Sequence, residues 1–282
     1  MEKSRPIKRI LKGTPVLEGA GVHLRRVFGN SELPLFDPFL MFDDFRSDSP
    51  EKYVKGFPWH PHRGIETITY ILKGDVEHGD SMGNKGIISA GDVQWMTAGS
   101  GIVHQEMPKG DAAGAMHGFQ LWANLPAGQK MMAPRYNDIT AESIPEVALA
   151  DGVRIKVIAG TVGKTQGPMK DIVIDPEFMD CTVSDGVTYV HRTEPDYTAF
   201  IYVTGGTGRV NGTHVDNGTL VLFDSGPSFS VTAAGGPVRF LILTGKPLGE
   251  PIAWRGPIVM NTQAELDAAF AEYRDGTFIK HP

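Results

Sequence analysis

The chain has 282 residues, of which 41% are hydrophobic and 21% are charged, and its formal net charge is −6. These values exclude a disordered or fibrous protein and are typical of a globular one with one large or two medium-sized domains. The chain also contains 34 glycines and 20 prolines. Because they are spread along the sequence, they indicate many turns between short strands, and we predict an all-β architecture.

Basic residues near the N-terminus are predicted to lie on a solvated edge strand. Prolines and apolar residues alternate with them, and the net charge of the chain is negative, so we expect no direct binding to nucleic acid. These basic residues are Lys3, Arg5, Lys8, Arg9 and Lys12.

The sequence predicts a protein of a reducing compartment. No apolar stretch approaches the ~20 residues that a membrane-spanning helix needs, and residues 1–6 lack the apolar core of a secretory signal. The single cysteine, Cys181, has no partner for an internal disulfide. We therefore expect a cytoplasmic location, extended to the nucleus in a eukaryote, and no membrane partner.

Two pairs of metal-capable residues stand in strand-like sequence in the first half of the chain. His60 and His62 form the first pair, and His104 and Glu106 form the second. Alternate residues of a strand point to the same face, so two neighbouring strands could bring all four side chains together. A lone His-x-His pair is weak support, but a matching second pair framed by glycine turns strengthens it. The spacing predicts a metal site with three imidazoles and one carboxylate.

This donor set suits several first-row divalent metals, namely iron, manganese, nickel, copper and zinc. A single cysteine in the chain argues against iron–sulfur and thiolate zinc sites. Four protein ligands could close a tetrahedral structural zinc site. They could equally occupy four corners of an octahedron and leave two positions open for a substrate and dioxygen.

The second half of the chain repeats the strand pattern of the first. Residues 199–206 resemble residues 67–74, and the run that Gly218 opens resembles the run that Gly91 opens. No His-x-His pair precedes the first of these runs, and residues 227–230, which follow the second, contain no histidine. We predict that the fold repeats while the metal site does not.

One helix is predicted near the C-terminus. Thr262 and Glu265 form a capping box, in which each side chain binds the backbone amide of the other residue. Apolar residues at helical spacing follow, and Gly276 supplies a stop. We expect this helix to pack on a barrel without a catalytic role; its apolar residues are Leu266, Ala269, Phe270 and Tyr273.

The histidine pairs and their glycine frames resemble the two motifs of cupins, and longer runs resemble the pirin family within that superfamily. The similarity is densest over residues 34–136. The pirin-like runs are residues 37–40, 57–67, 91–99, 101–108, 118–126 and 256–261.

The resemblance implies a bicupin, two cupin-type β-barrels in one chain, with one metal in the N-terminal barrel and a short C-terminal helix. We place the two domains at residues 1–135 and 136–282. In cupins generally the carboxylate ligand matches Glu66, whereas in pirins it matches Glu106. We follow the pirin pattern, in which Fe(II) is held by His60, His62, His104 and Glu106, with Glu106 also a candidate catalytic base.

Other residues of the first half are expected nearby without binding the metal. Glu66, Gln120 and Trp59 are candidates for contacts with a ligand side chain or with substrate. His78 and His117 are expected to be surface or core histidines.

The resemblance implies quercetin 2,3-dioxygenase activity, the oxidation of a flavonol or a similar small phenol by dioxygen. The rival hypothesis is an iron-dependent regulatory protein, a transcriptional co-regulator or a partner of an enzyme, without a catalytic role. A third hypothesis is a structural zinc barrel.

Overall fold

A computed structural model describes residues 4–149, 152–170, 172 and 174–281. The chain forms two compact units. The N-barrel comprises Thr14–Ala141 and Leu248–Pro282, and the C-barrel comprises the segment that ends at Gly13 together with Glu142–Pro247. The predicted division between residues 135 and 136 therefore differs from the structure at both chain ends, because the first strand joins the sheet of the C-barrel and the last segment packs in the N-barrel.

Strands account for most of the described chain. As far as Ile139 they are β1 (Ile7–Lys12), β2 (Thr14–Glu18), β3 (Val22–Phe28), β4 (Phe39–Ser47), β5 (Phe57–His62), β6 (Ile65–Lys73), β7 (Asp75–Asp80), β8 (Lys85–Ile88), β9 (Val93–Thr97), β10 (Ile102–Lys109), β11 (Met116–Asn124) and β12 (Arg135–Ile139). The others are β13 (Glu146–Leu149), β14 (Val153–Ala159), β15 (Thr161–Val162), β16 (Thr165–Gln166), β17 (Glu177–Val183), β18 (Thr188–Arg192), β19 (Thr198–Gly205), β20 (Thr207–Val210), β21 (Thr213–Asp216), β22 (Thr219–Phe223), β23 (Ser228–Ala233), β24 (Val238–Gly245), β25 (Ala253–Arg255) and β26 (Ile258–Met260).

Each barrel consists of a seven-stranded and a four-stranded antiparallel sheet. In the N-barrel the strand orders are β12-β9-β6-β11-β4-β3-β2 and β5-β10-β7-β8. In the C-barrel they are β1-β22-β19-β24-β17-β14-β13 and β18-β23-β20-β21. The predicted repeat is confirmed, because residues 67–73 and 199–205 lie in the third strands of the two large sheets.

The interiors of the two barrels differ. The C-barrel is filled with apolar side chains such as Val157, Ile201 and Phe229. One inward-facing histidine, His191, lies on β18, which corresponds to β5, and its ring nitrogens pair with the Tyr189 hydroxyl at 2.9 Å and the Glu177 carboxylate at 3.1 Å. Within the described residues, the C-barrel has no group of three metal-capable side chains.

The N-terminal strand is an edge strand, as predicted, but one of the basic residues expected on it, Arg5, lies before it and is buried. β1 pairs with β22 at the edge of the large C-barrel sheet. Arg5 is 1% exposed, and its guanidinium donates to Thr193 Oγ1 and to backbone carbonyls including that of Glu194. It is buried because these acceptors replace water around the charge. Lys3 lies outside the described residues.

The predicted C-terminal helix is α1 (Gln263–Arg274). Thr262 Oγ1 accepts from the Glu265 amide at 3.2 Å, and the Glu265 carboxylate accepts from the Thr262 amide at 2.9 Å, which confirms the capping box. Leu266 and Ala269 are buried against β26. No helix in the described part of the chain combines the length and apolar character needed to cross a membrane.

Candidate metal centre

The two histidine-bearing strands, β5 and β10, are antiparallel neighbours in the small sheet of the N-barrel. His60 lies directly opposite His104, and His62 lies opposite Ile102. Residues opposite one another in an antiparallel pair share a face, so the period-two spacing places the three imidazoles together. The pairing is irregular between His104 and Glu106.

The three rings meet through their Nε2 atoms. Nε2 of His60 lies 3.0 Å from Nε2 of His62 and 3.0 Å from Nε2 of His104. One nitrogen from each ring falls within a group whose atoms all lie within 4.8 Å of one another. The fold therefore brings together the three nitrogen donors that the sequence predicts.

The Nδ1 contacts show why this arrangement fits a cation. Nδ1 of His60 lies 2.8 Å from the Pro58 carbonyl, and Nδ1 of His62 lies 3.0 Å from the Pro257 carbonyl. A carbonyl only accepts, so in both rings the proton is assigned to Nδ1 and the lone pair to Nε2. Two lone pairs 3.0 Å apart repel one another unless a positive ion lies between them, and neutral imidazoles of this tautomer are good metal ligands.

Burial keeps two of these rings neutral. His62 is 1% exposed and His104 is fully buried. Burial, together with the neighbouring histidines, lowers the pKa of both rings well below the usual value. Both rings are therefore available as neutral ligands at neutral pH.

Glu106 is buried beside the histidines but outside the three-ring group. Its two carboxylate oxygens accept hydrogen bonds from Thr69 Oγ1 at 3.0 Å and from Gln120 Nε2 at 2.8 Å. Gln120 Oε1 in turn accepts from Trp122 Nε1 at 3.2 Å. The half-buried amide of Gln120 thus contacts both the predicted carboxylate ligand and the Trp122 indole.

A row of polar side chains crosses the large sheet beneath Glu106. Across the strands Arg26 lies opposite Asp43, Asp43 opposite Gln120, and Gln120 opposite Thr69. Arg26 donates to both oxygens of Asp43, at 2.9 and 2.8 Å, and lies 2.8 Å from Glu18. Burial raises the pKa of Asp43 to about 6, although the Arg26 guanidinium opposes this shift.

Two of the histidines, His60 and His62, line one cavity of about 550 Å³ together with Glu106 and this polar row. Its walls include apolar side chains from β3, β4 and β11 and two residues of the C-terminal segment, Trp254 and Pro257. This size is in the usual range for small-molecule sites, about 300–1,000 Å³. Arg26, Asp43 and Trp254 were not among the predicted site residues. Two acids within the apolar strand β4 are an unusual feature that could have indicated Asp43.

Glu66 lies away from this cavity. His62 and Glu66 are on different strands, because the chain turns at Gly64. The φ of Gly64 is +79°, and a Cβ at this position would lie 2.0 Å from the Val259 carbonyl oxygen, so a side chain is excluded. The Glu66 carboxylate accepts from Trp95 Nε1 at 3.0 Å and Thr97 Oγ1 at 2.7 Å. It therefore lies on the opposite face of β6 from Thr69.

The remaining predicted neighbours differ in their positions. Trp59 is 53% exposed and is not part of the cavity lining. His117 lies 3.7 Å from Asp44 and is also absent from the lining. His78 is buried, and the centre of its ring is 5.4 Å from that of His104.

Comparison with known proteins agrees with this architecture. The family model described as Pirin matches residues 21–123, and that described as Pirin C-terminal cupin domain matches residues 178–279. A pirin-like protein of Caulobacter vibrioides is 44% identical over 275 residues, covering 97% of this chain and 99% of that protein. Pirin-like protein 2 of Arabidopsis thaliana is 40% identical over 283 residues, covering 97% of this chain and 85% of that protein.

A crystal structure described as quercetin 2,3-dioxygenase from Acinetobacter baumannii superimposes with a TM-score of 0.90 at 33% identity, covering 98% of this chain and 99% of that one. The predicted bicupin fold is confirmed by these matches. The chain belongs to the pirin family.

Proposed function

We propose that this protein is a mononuclear metal enzyme that oxidises a planar, hydroxylated aromatic compound, a flavonol or a similar phenol, with dioxygen. The observation that carries the proposal is the convergence of the Nε2 lone pairs of His60 and His62 at one end of the cavity. The similarity to the Acinetobacter quercetin 2,3-dioxygenase supports the reaction class.

The proposed ligands are His60, His62, His104 and Glu106, and the proposed metal is Fe(II). Each oxygen of an ionised carboxylate has two acceptor positions. Glu106 can therefore keep its hydrogen bonds to Thr69 and Gln120 while an oxygen faces the ion, and hydrogen-bonded carboxylate ligands of this kind are usual. When bound, the metal supplies the redox and Lewis-acid chemistry of the reaction.

The cavity matches a flat aromatic ligand with polar groups at both ends. Apolar residues such as Leu24, Phe45 and Trp122 line its walls, where they can pack on the rings and exclude water. A hydroxyl at the histidine end lies within reach of Glu106, our candidate for accepting its proton. At the other end, Asp43 and Glu18 offer carboxylate oxygens and Arg26 offers donors to the hydroxyls of a second ring.

The test is oxygen consumption by protein loaded anaerobically with Fe(II) and then mixed with quercetin and air-saturated buffer. We expect uptake with one iron per chain, and none with metal-free protein or with His104→Ala. Stoichiometric iron without uptake above metal-free protein would contradict the enzymatic proposal and leave the metal centre in place. That outcome is also the one that the regulatory hypothesis predicts.

A further inference from the structure

His104 differs from the other two histidines in the contact of its Nδ1 atom. Nδ1 of His60 and Nδ1 of His62 each have a carbonyl acceptor, whereas Nδ1 of His104 is buried and has no hydrogen-bond partner among the described residues. A buried polar atom without a partner is costly and needs an explanation. Moreover, nothing in the backbone fixes which nitrogen of His104 carries its proton.

A second ring with the same property lies next to it on β7. His78 is buried, its Nδ1 has no hydrogen-bond partner within the described chain, and its ring is tilted by 55° at 5.4 Å from that of His104. β7 pairs with β10 so that Asp80 lies opposite His104 and His78 lies opposite Glu106. Both side chains therefore share the inward face with the histidine group.

Asp80 supplies the acceptor that faces Nε2 of His78. Its carboxylate accepts from the amides of Met82 at 2.9 Å and Asn84 at 3.0 Å and from the side-chain amide of Asn84 at 2.8 Å, and it lies 3.4 Å from Nε2 of His78. A carboxylate held by so many donors is ionised and can only accept. Nε2 of His78 therefore carries a proton, which makes Nδ1 the acceptor of this ring in its neutral form.

We propose that Asp80 and His78 are positioning residues that fix the tautomer of His104. The acceptor Nδ1 of His78 favours a proton on Nδ1 of His104 through one bridging water molecule. The lone pair of His104 is then on Nε2, which faces the other two Nε2 atoms. Asp80 and His78 thus orient the proton of His104, as the carbonyls of Pro58 and Pro257 orient the protons of His60 and His62. This inference rests on the proposed metal centre but not on the proposed oxidation.

Two variants and a matched control test this inference. Asp80→Asn places an amide donor near Nε2 of His78, which moves the His78 proton to Nδ1 and removes the acceptor. His78→Phe keeps the ring that packs against Tyr136 at 5.0 Å but has no nitrogen. His117→Phe is the control, because His117 also lies beside a carboxylate, that of Asp44, but does not line the cavity.

The first measurement is ¹⁵N NMR of the imidazoles in metal-free protein. We expect His104 to be protonated at Nδ1 in the wild type and to shift towards Nε2 protonation in Asp80→Asn. Wild-type His104 protonated at Nε2 would overturn the inference, even if neither variant folds.

The second measurement is Zn(II) affinity by competition with a chromophoric chelator. Loss of the outer hydrogen bond of a histidine ligand weakens metal binding by about 10–100-fold, which we expect for Asp80→Asn and His78→Phe but not for His117→Phe. Wild-type affinity in folded Asp80→Asn and His78→Phe would overturn the inference while leaving the metal centre intact. Failure of the wild type to bind any metal would instead contradict the proposed function.

Discussion

Gln120 Nε2 donates to Glu106 Oε2 at 2.8 Å, and Gln120 lies opposite Asp43 on the next strand. This amide therefore links the proposed metal ligand to the polar row that crosses the large sheet. Two acids therefore line the same cavity: Glu106 lies beside the histidines, and Asp43 lies in the polar row. The two acids lead to separate predictions, one on metal binding and one on substrate binding.

Glu106→Gln is expected to weaken metal binding, whereas Glu66→Gln should leave it unchanged. The first change removes the proposed anionic ligand. The second alters a carboxylate that is bound to Trp95 and Thr97 outside the cavity. Parallel Fe(II) titrations of the two variants decide between the pirin and the general cupin pattern. Loss of affinity in Glu66→Gln alone would show that the carboxylate ligand is misassigned.

Asp43→Asn is expected to raise KM for quercetin about tenfold with little change in kcat, since it weakens one charge-assisted hydrogen bond to the second ring and none to the reacting hydroxyl. The pKa of Asp43 is about 6, so its carboxylate is mostly protonated at pH 5 and ionised at pH 7. Wild-type KM should therefore be lower at pH 7 than at pH 5, and the variant should lack this dependence. Equal pH profiles for KM in the two proteins would contradict a substrate contact at Asp43.

Lys130 gives a prediction for stability that is independent of catalysis. Its buried ammonium donates to the carbonyls of Gly64 and Val259 and to Asn124 Oδ1. Burial lowers its pKa from 10.5 to about 8. Between these values the unfolded chain binds more protons than the folded one, so the free energy of unfolding should rise with pH.

Over pH 8 to 10 this rise amounts to about 2 kcal/mol from Lys130 alone. The Lys130→Met variant should lack it, because it has no amine to titrate. Urea unfolding of both proteins at the two pH values isolates the difference from other titrating groups. A constant difference in stability between wild type and variant across this window would contradict the burial of a charged Lys130.

The strand pattern made much of this molecule predictable. The spacing of His60 and His62, together with His104 on a second strand, was sufficient to predict three imidazoles on one face. Alternate residues of a strand always point to the same side of the sheet. The repeated runs predicted two similar barrels, and Thr262 with Glu265 predicted the start of the helix. These features depend on neighbours in sequence, or on one strand pairing with the next.

Features that depend on distant pairing could not be predicted from the sequence. The carbonyl that fixes His62 belongs to Pro257, which is 195 residues away. Glu66 was expected near the ligands, but the turn at Gly64 starts a new strand in another sheet and directs Glu66 to the opposite face. The Arg26–Asp43 pair depends on the register of β3 against β4, which side-chain type alone does not determine.

The placement of the metal centre is tested most directly by measuring the metal content and Fe(II) affinity of the wild type, His62→Ala and His104→Ala. Far-UV circular dichroism checks that each variant is folded. We predict one tightly bound ion per wild-type chain and none in either variant, with the β-rich spectrum retained, since each variant removes one of three converging nitrogens. Stoichiometric metal retained by both folded variants would contradict the placement of the metal centre.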